Sequence, residues 1–276
     1  MRGEKSRQSE LIGEHLGKEK MFNAWLQCDD FNESHRHIHR KLFESELNRE
    51  KPIETVSKWF IKHHLSDKRI ARIEEKKKVL EKHGFDLYIK NLGPLPTDEK
   101  TIRGNAAEII LTEYLKSISD LQLLVYRLHY NPNVNQSMKG DDVLLLDVED
   151  PSSKIIIGES KFRKTPGQAV IKEIVDSMGK ELTYPLSLLF VSQILSDMGK
   201  EELAEKIEEV NSELHTGKTN IINVGFLLSN HNTVQNVNRH LYSENENFVF
   251  ISLGIEEPEK LLKEVYDLAV KNLEES

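Results

Sequence analysis

Two dense apolar runs separated by a short polar turn constrain the fold of this chain more than any other feature. Within Lys139–Lys161 the runs are Val143–Leu146 and Ile155–Ile157, and Asp150–Ser153 between them has the composition of a turn. The pattern predicts an antiparallel hairpin. Because the runs are apolar throughout, both strands are expected to be buried on two faces, in the middle of a sheet.

Charged residues flank both apolar runs. Asp141 and Asp142 precede the first run, and Glu159 and Lys161 follow the second. Because antiparallel neighbours place the start of one strand beside the end of the other, these side chains should meet at one end of the sheet. Glu159 and Lys161 are two residues apart and should share a face, whereas Ser160 should point towards the packed side. Carboxylates and an ammonium group in one place predict a Mg²⁺ site beside an anionic phosphate.

The chemistry that such a group of side chains supports is phosphodiester hydrolysis. A divalent cation acidifies a bound water, which can then attack phosphorus. The lysine can orient that water or stabilise the negative charge that develops in the transition state.

An upstream helix adds a further carboxylate. The helix is predicted to start near Thr97 or Thr101, and Ile109 and Ile110 on its apolar side adjoin Glu108. A carboxylate in such surroundings is either half-buried and paired or directed into a site, and the alternative is an exposed helical position. Small residues would let this helix lie close to the sheet: Gly104, Ala106 and Ala107.

Apolar periodicity predicts the other elements of the core. Leu121–Tyr130 is expected to form a first strand, and Ile221–Leu228 and Asn247–Gly254 the last two strands. One helix should follow the hairpin, others should lie within Pro185–His215, and residues 258–275 have the pattern of an amphipathic helix.

Composition and charge exclude several classes of protein. No apolar run approaches the roughly 20 residues of a membrane-spanning helix, and the first ten residues lack the apolar segment of a secretory signal. The single cysteine, Cys28, excludes an internal disulfide and favours a cytoplasmic location. The net charge of −8 argues against a protein that coats nucleic acid. It still allows a nuclease with a local basic rim, whose affinity for DNA is supplied partly by a partner.

The predicted domain organisation is a helical N-terminal region over residues 1–92 and a core domain over residues 93–276. The boundary is placed at the stiff connector Gly93–Pro96, and Gly84 is expected to end the preceding helix. His35, His37 and His39 would diverge on a helix, and no second cysteine accompanies Cys28, so a zinc site is not expected.

The hairpin with its aspartate and its Glu-Ser-Lys end resembles the PD-(D/E)xK nuclease superfamily. Over roughly residues 85–270 the chain is similar to the HamA subunits of Hachiman anti-phage defence systems, and four segments carry this similarity: PLPTDEKTIRGNAAEIILTEYL, KGDDVLLLD, IIIGESKF and IINVGFLLSN. The resemblance implies an α/β fold with a restriction-endonuclease-like core, a mixed central sheet flanked by helices.

The same resemblance implies a function. It implies a DNA nuclease that depends on Mg²⁺ or Mn²⁺ and is held in check by a superfamily 2 helicase partner, HamB. Catalytic roles are carried over to Asp142, Glu159, Lys161 and Glu108, of which the three carboxylates are the expected metal ligands. Asp141 remains the rival of Asp142, because a shift of one residue in register exchanges their faces.

Residues after the hairpin are candidates for substrate binding. In related nucleases the helix after the catalytic strand often carries a Gln or Lys that positions the substrate or the attacking water. Gln168 and Lys172 are four residues apart and share a helix face, and Arg163 could hold a phosphate.

Two other functions remain open. The domain could be a catalytically inactive module that binds DNA or docks on a helicase, which the acidic balance of the chain favours. It could instead resemble a type II restriction endonuclease, which would cut DNA into discrete fragments at a defined site.

Overall fold

The centre of the molecule is a mixed six-stranded sheet with helices on both faces. The structure is a computed structural model that describes residues 5–15, 20–34, 36–45, 49–85, 95–180 and 184–275. The strands are β1 (Leu26–Ser34), β2 (His37–Glu44), β3 (Val143–Leu146), β4 (Ile155–Phe162), β5 (Ile221–Ser229) and β6 (Phe248–Gly254). Their spatial order is β1-β2-β6-β5-β4-β3.

The helices form two layers around this sheet. They are α1 (Arg7–Ile12), α2 (Lys20–Trp25), α3 (Glu50–His64), α4 (Asp67–Lys82), α5 (Glu99–Ile118), α6 (Gln168–Met178), α7 (Leu188–Asp197), α8 (Glu201–Glu213), α9 (Thr233–His240) and α10 (Pro258–Glu275). Helices α2, α3, α5 and α10 contribute to the core on one face, and α6, α7, α8 and α9 contribute to the core on the other.

The alternation of side chains along β3 shows how one strand serves both cores. Val143 and Leu145 belong to the core beneath α5, whereas Leu144 and Leu146 belong to the core beneath α6. Because successive residues of a strand point to opposite faces, a strand buried on both faces must be apolar throughout. This is the physical reason for the dense apolar runs in the sequence.

The predicted hairpin is confirmed, and the prediction that both of its strands lie inside the sheet is correct only for β4. Strand β3 pairs antiparallel with β4 from Val143 opposite Gly158 to Leu146 opposite Ile155. Strand β4 also pairs in parallel with β5, whereas β3 is an edge strand. Edge strands need protection from further pairing, and residues before β3 cover this edge.

The predicted strand over Leu121–Tyr130 is wrong. Only Gln122 pairs with β3, through two backbone hydrogen bonds to Leu146 of 2.9 and 3.2 Å. The chain then turns away and closes in a 3₁₀ turn at Arg127–Tyr130. Its apolar side chains are divided between the two cores, with Leu128 in one and Val125 in the other. The segment is apolar because it wraps around the sheet edge.

The prediction that residues 1–92 are helical is wrong for Leu26–Ser34 and His37–Glu44, which form β1 and β2. Strand β2 pairs in parallel with β6, for example Arg40 with Ile251, so this N-terminal segment completes the central sheet. The side chains of Trp25 and Phe60 belong to the same core as those of α5. The proposed domain boundary at residues 92 and 93 lies outside the described residues and stays a prediction.

Two local signals of helix ends are confirmed. Helix α5 begins between the two predicted starts, with Asp98 accepting hydrogen bonds from the backbone and hydroxyl of Thr101 at 2.8 Å. Helix α4 ends at Lys82, and Gly84 follows its C-cap with a φ of +71°, in the left-handed region. There the amide of Phe85 donates to the carbonyl of Leu80, as in a Schellman motif.

Within the described part of the chain, no helix combines the length and the apolar character needed to cross a membrane.

Candidate active site

The end of β4 and the start of β3 hold Asp142 in a fixed position. The amide of Asp142 donates to the carbonyl of Gly158 at 2.9 Å, which continues the hairpin by one residue. The carboxylate Oδ2 of Asp142 accepts hydrogen bonds from the backbone amide of Ser160 at 2.8 Å and from its hydroxyl at 2.9 Å. Ser160 is buried, as the alternation along β4 predicts. Asp142 is therefore anchored beside the Glu-Ser-Lys end of β4.

Gly158 allows the close approach of elements that this geometry needs. A Cβ atom at Gly158 would lie 3.1 Å from Leu111 of α5 and 3.2 Å from Val143 of β3. A larger residue would push α5 and β3 away from β4, directly before Glu159.

The two adjacent aspartates face different partners. The carboxylate of Asp141 accepts a hydrogen bond of 2.9 Å from the amide of Ser187, just before α7, and the amide of Asp141 donates to the Ser187 hydroxyl at 3.0 Å. Asp141 is thus engaged with the α7 layer, and Asp142 is the aspartate bound to the strand that carries Glu159.

Glu159 and Lys161 lie on the same face of β4, as predicted. Their side chains form an ion pair of 2.5 Å, and the Lys161 ammonium also lies 3.3 Å from Glu173 of α6. Both side chains are about one fifth exposed, at 18% for Glu159 and 24% for Lys161. They are therefore accessible from solvent and still held in a defined arrangement.

Glu108 reaches the same end of the sheet from α5, and Arg127 joins it to Asp142. The guanidinium of Arg127 donates to both oxygens of Glu108, at 2.8 and 3.2 Å, and to Oδ1 of Asp142 at 3.0 Å. A further hydrogen bond of 2.7 Å goes to the carbonyl of Asp141. We call Glu108, Arg127, Asp142, Glu159 and Lys161 the carboxylate cluster.

When all of its members are ionised, the carboxylate cluster carries three negative and two positive charges. Burial raises the pKa of Glu108 to about 8, against the opposing charge of Arg127 and with support from Asp142 and Glu159. Burial and the nearby charge of Asp142 raise the pKa of Glu159, although Lys161 acts in the other direction. Both shifts have the sign expected for carboxylates that are desolvated and near other carboxylates.

A divalent cation that prefers oxygen ligands would relieve this excess of negative charge. Arg127 and Ser160 use three of the roughly four lone-pair positions of the Asp142 carboxylate, which leaves room for one metal bond. In the described residues, no three His, Cys, Asp or Glu side chains converge closely enough to hold a metal ion between them. The donor set fits Mg²⁺, which commonly binds to one or two carboxylates and completes its shell with water and substrate phosphate.

The predicted substrate-binding residues are not gathered at the carboxylate cluster. Lys172 is 71% exposed and pairs with Asp176, one turn along α6. Gln168 is exposed at the first residue of α6. Arg163 lies nearer, because it contacts Glu173, which also contacts Lys161.

Two residues of the site were not predicted from the sequence. Arg127 lies in the segment that apolar periodicity predicts to be a strand, and a single arginine inside an apolar segment is a signal that it pairs with a buried acid. Glu173 shares α6 with Lys172 but lies on the side that faces Lys161.

A small cavity opens next to the carboxylate cluster. Its volume of about 30 Å³ is enough for a water molecule or two. Glu108, Arg127 and Asp142 line one side of it, and Tyr126 and Phe190 contribute aromatic walls.

Comparison with known proteins gives two matches that cover most of the chain. The family model described as HamA matches residues 19–269. The "Hachiman protein HamA" of Bacillus cereus is 42% identical over 266 residues, which is 96% of this chain and 96% of that protein. The matched region contains every residue of the carboxylate cluster.

Proposed function

The chain belongs to the HamA family, and on that premise we propose that it acts in Hachiman defence against phage as a metal-dependent deoxyribonuclease. The observation that carries the proposal is the carboxylate cluster, in which Asp142 and the Glu159–Lys161 pair meet at the junction of β3 and β4. The fold would then be a PD-(D/E)xK core that includes β1 and β2 from the N-terminal part of the chain.

In this proposal Asp142 and Glu159 hold the cation, which is Mg²⁺ or Mn²⁺. When bound, the cation supplies Lewis-acid activation of the scissile phosphate and of water. Asp142 would keep its place during the reaction because Ser160 donates two hydrogen bonds to it. Glu159 is about as exposed as Asp142, at 18% against 17%, and lies on the face of β4 that also presents Lys161.

Lys161 has two roles that follow from its position. Its ammonium group lies next to Glu159, where it can orient the attacking water and donate to the charge that develops on the phosphate. The pKa of Lys161 is raised by its hydrogen bond and ion pair with Glu159, although burial opposes this, so the group remains protonated and acts as a donor.

Arg127 and Glu108 act together as positioning residues. Arg127 holds Asp142 from the side opposite Ser160, and Glu108 holds Arg127 through both of its oxygens. Glu108 was expected to be a metal ligand. We propose instead that its main contribution is to fix Arg127, and that it approaches the metal only if the guanidinium moves away.

The partner in this proposal is DNA together with a superfamily 2 helicase of the HamB type. The net charge of −8 makes strong DNA binding by the chain alone unfavourable, because affinity for DNA comes mainly from basic surface. A helicase that delivers DNA and restrains the nuclease until then would supply both affinity and control.

The test is cleavage of linear DNA by the purified chain with Mg²⁺, alone and with its helicase partner. Glu159→Ala and Lys161→Ala should each reduce the rate by about 100-fold or more, because each removes a group that stabilises charge in the transition state. Both side chains are partly exposed, so the fold and the unfolding temperature should change little.

Matched controls exist on α8. Glu202→Ala and Lys206→Ala remove one acid and one base of an exposed ion pair and should leave cleavage unchanged. If Glu159→Ala and Lys161→Ala cut DNA as fast as these controls, the assignment of the site is wrong.

An inactive module that binds DNA or docks on a helicase is the second candidate, and one observation favours it. Arg127 already neutralises part of the charge of Glu108 and Asp142, as it would in a site that has lost its metal. A titration with Mg²⁺ or Mn²⁺, followed by the unfolding temperature, separates the two. A nuclease should be stabilised by the metal through the Asp142–Glu159 pair, and an inactive module should not.

A further inference from the structure

Four rings form a continuous row beside the carboxylate cluster. The ring centroids of Tyr126 and His129 are 5.4 Å apart and nearly parallel. Those of His129 and Tyr130 are 6.3 Å apart, and those of Tyr130 and Phe190 are 6.0 Å apart at an angle of 81°. We call these four residues the ring row. His129 and Tyr130 belong to the 3₁₀ turn that also carries Arg127, and Tyr126 directly precedes that turn.

Both ends of the ring row line the cavity of the candidate active site, and Tyr130 between them reaches solvent. Tyr126 and Phe190 line the cavity together with Asp142, and Tyr130 is 40% exposed. Isolated apolar side chains on a protein surface need no explanation, but aromatic side chains that are contiguous with a site indicate a ligand with apolar faces.

Cations lie close to the Tyr126 end of the ring row. The ammonium groups of Lys62 and Lys116 are 5.5 and 5.7 Å from the ring centroid of Tyr126. Arg127, the next residue in the chain, contacts Asp142. Rings flanked by a few cations form the type of surface that binds single-stranded nucleic acid, where bases stack on the rings and phosphates lie near the charges.

We propose that the ring row is a stacking platform for unpaired bases, which makes single-stranded or frayed DNA the substrate class of this site. The proposal rests on the proposed function, because it assumes that DNA reaches the carboxylate cluster. It adds that the strand beside the scissile phosphate is unpaired and lays a base on Tyr130.

The acidic character of the chain supports stacking as the source of affinity. A chain with a net charge of −8 cannot gain much binding energy from phosphates. Base stacking contributes roughly 1–3 kcal/mol for each base and does not depend on surface charge. Binding of a single strand at the ring row should therefore depend less steeply on salt than binding through phosphate contacts alone.

Bases fit the position of the ring row better than a protein partner does. The row is continuous with the cavity that contains Asp142, so an occupant would lie directly beside the proposed scissile phosphate. A docked protein there would block the site, whereas an unpaired base is part of the substrate. Docking of a protein on the ring row is nevertheless a distinct outcome that the experiment below can detect.

The test is binding of a labelled oligonucleotide of about twelve nucleotides, within the usual length of a single-strand site. Binding is measured by fluorescence anisotropy with the full chain in EDTA, where no cleavage occurs. Tyr130→Leu should weaken binding of the single strand by about 5- to 150-fold, which is the loss of one stacked base. Tyr130→Phe keeps the ring and should bind within about twofold of the parent.

Two matched controls isolate stacking from other effects. Tyr242→Leu removes another exposed tyrosine, which contacts Arg36 near β2, and it should bind as the parent does. An abasic strand of the same length keeps the phosphates without the bases, so it should bind weakly and equally to the parent and to Tyr130→Leu. The same sequence as a blunt duplex should also show no dependence on Tyr130.

Each contrary result has a defined meaning. Equal losses on the abasic and the normal strand, or no loss on the normal strand, would overturn the stacking platform. Unchanged DNA binding together with lost binding of the helicase partner would assign the ring row to protein docking.

The two proposals can fail separately, because binding in EDTA does not require catalysis. A chain that never cuts DNA but binds single strands through Tyr130 would refute the nuclease and keep the platform. A chain that cuts DNA, but whose binding of single strands does not depend on Tyr130, would support the nuclease and refute the stacking platform.

Discussion

Two arginines are buried at different ends of the sheet, and their surroundings differ in charge. Arg40 of β2 is fully buried and binds Asp30 of β1 through two hydrogen bonds of 2.7 and 2.8 Å. Arg127 lies beside β3 and binds Glu108 and Asp142. Arg40 thus faces one carboxylate, whereas Arg127 contacts two and has Glu159 close by.

The pKa shifts of the acids follow this difference. Burial acts to raise the pKa of Asp30, but the hydrogen bonds and charge of Arg40, together with the Ser6 hydroxyl, hold it below its usual value. The pKa of Glu108 and that of Glu159 are both raised, because burial and neighbouring carboxylates outweigh the cations.

This difference separates a structural ion pair from a candidate functional site. Arg40 and Asp30 form a hydrogen-bonded ion pair with no net charge. Such a pair stabilises one arrangement of β1 and β2, and it leaves no charge for another ion to neutralise. In a cluster of three carboxylates each acid disfavours the ionisation of the others, and a bound cation would stabilise their ionised forms. The same kinds of substitution at both sites can test whether Arg40 and Asp30 are structural and the carboxylate cluster binds a cation.

The largest expected effect on stability is at the structural pair. Asp30→Ala leaves the guanidinium of Arg40 buried without a counter-ion, which should lower the free energy of unfolding by about 3–5 kcal/mol. Glu159→Ala relieves repulsion and should cost less than about 1 kcal/mol. Urea unfolding of both variants measures the difference.

A neighbouring aspartate provides the control for that experiment. Asp29→Ala removes a carboxylate that is 59% exposed and pairs with Lys41, and it should change stability by less than about 0.5 kcal/mol. If Asp30→Ala is as mild as Asp29→Ala, the Arg40 pair is not a structural anchor.

The second-largest expected effect is the change in stability that Mg²⁺ causes in variants of the two arginines. Arg127→Met should lower stability by about 1–3 kcal/mol without metal, because Glu108 loses its hydrogen-bond partner. Mg²⁺ should then restore stability by more than it stabilises the parent, since the internal cation no longer competes for Asp142, which Ser160 still holds.

Arg40→Met is the matched substitution at the structural pair. The Arg40→Met variant should lose as much stability as Arg127→Met, or more. Mg²⁺ should raise its unfolding temperature by no more than it raises that of the parent. Equal responses of the two variants to Mg²⁺, read as shifts in unfolding temperature, would contradict the assignment of a cation site to the carboxylate cluster.

The dependence of stability on pH should have opposite signs at the two sites. The pKa of Glu108 is raised from 4.5 to about 8 in the folded state. Its contribution to stability is therefore fully present below pH 4.5 and is lost as the pH rises towards 8. Glu108→Gln cannot titrate, so its stability relative to the parent should improve between about pH 5 and pH 8.5 in metal-free buffer.

Asp30 provides the opposite case. Its pKa is lowered from 3.8, so its contribution is present above that pH and is lost as the pH falls. The deficit of Asp30→Asn relative to the parent should therefore shrink in acid. Differential scanning fluorimetry across this pH range tests both signs, and a pH-independent difference at Glu108 would refute the raised pKa.

The contrast between the two arginines also shows what could be predicted from the sequence. The hairpin and the common face of Glu159 and Lys161 were predictable, because apolar runs, a turn and a period of two residues are local features. The roles of Arg127 and Arg40 were not, because each depends on a contact with an acid on another element. The same holds for β1 and β2, whose polar sequences are strands that pair with each other and, through β2, with the distant strand β6.

Helix α6 gives the smallest and most local test, because two adjacent residues on it face different surroundings. Lys172, predicted to bind substrate, is 71% exposed and pairs with Asp176. Glu173 contacts Lys161 at 3.3 Å and Arg163 at 3.4 Å. Consecutive helical residues point about 100° apart, so sequence spacing alone could not decide which of them faces the site.

Lys172→Ala should change DNA binding at low salt by less than about twofold, since an exposed ion pair within one helix contributes little. Glu173→Ala should strengthen binding by about 2- to 5-fold, because Lys161 and Arg163 lose a counter-ion and become available to a phosphate. Glu173→Gln should strengthen DNA binding as much as Glu173→Ala does, because both variants lose the negative charge. Glutamine keeps the length of the side chain, so equal gains would show that the charge is the cause. A loss of binding in Lys172→Ala with no gain in Glu173→Ala would mean that DNA approaches along the exposed face of α6, away from the carboxylate cluster.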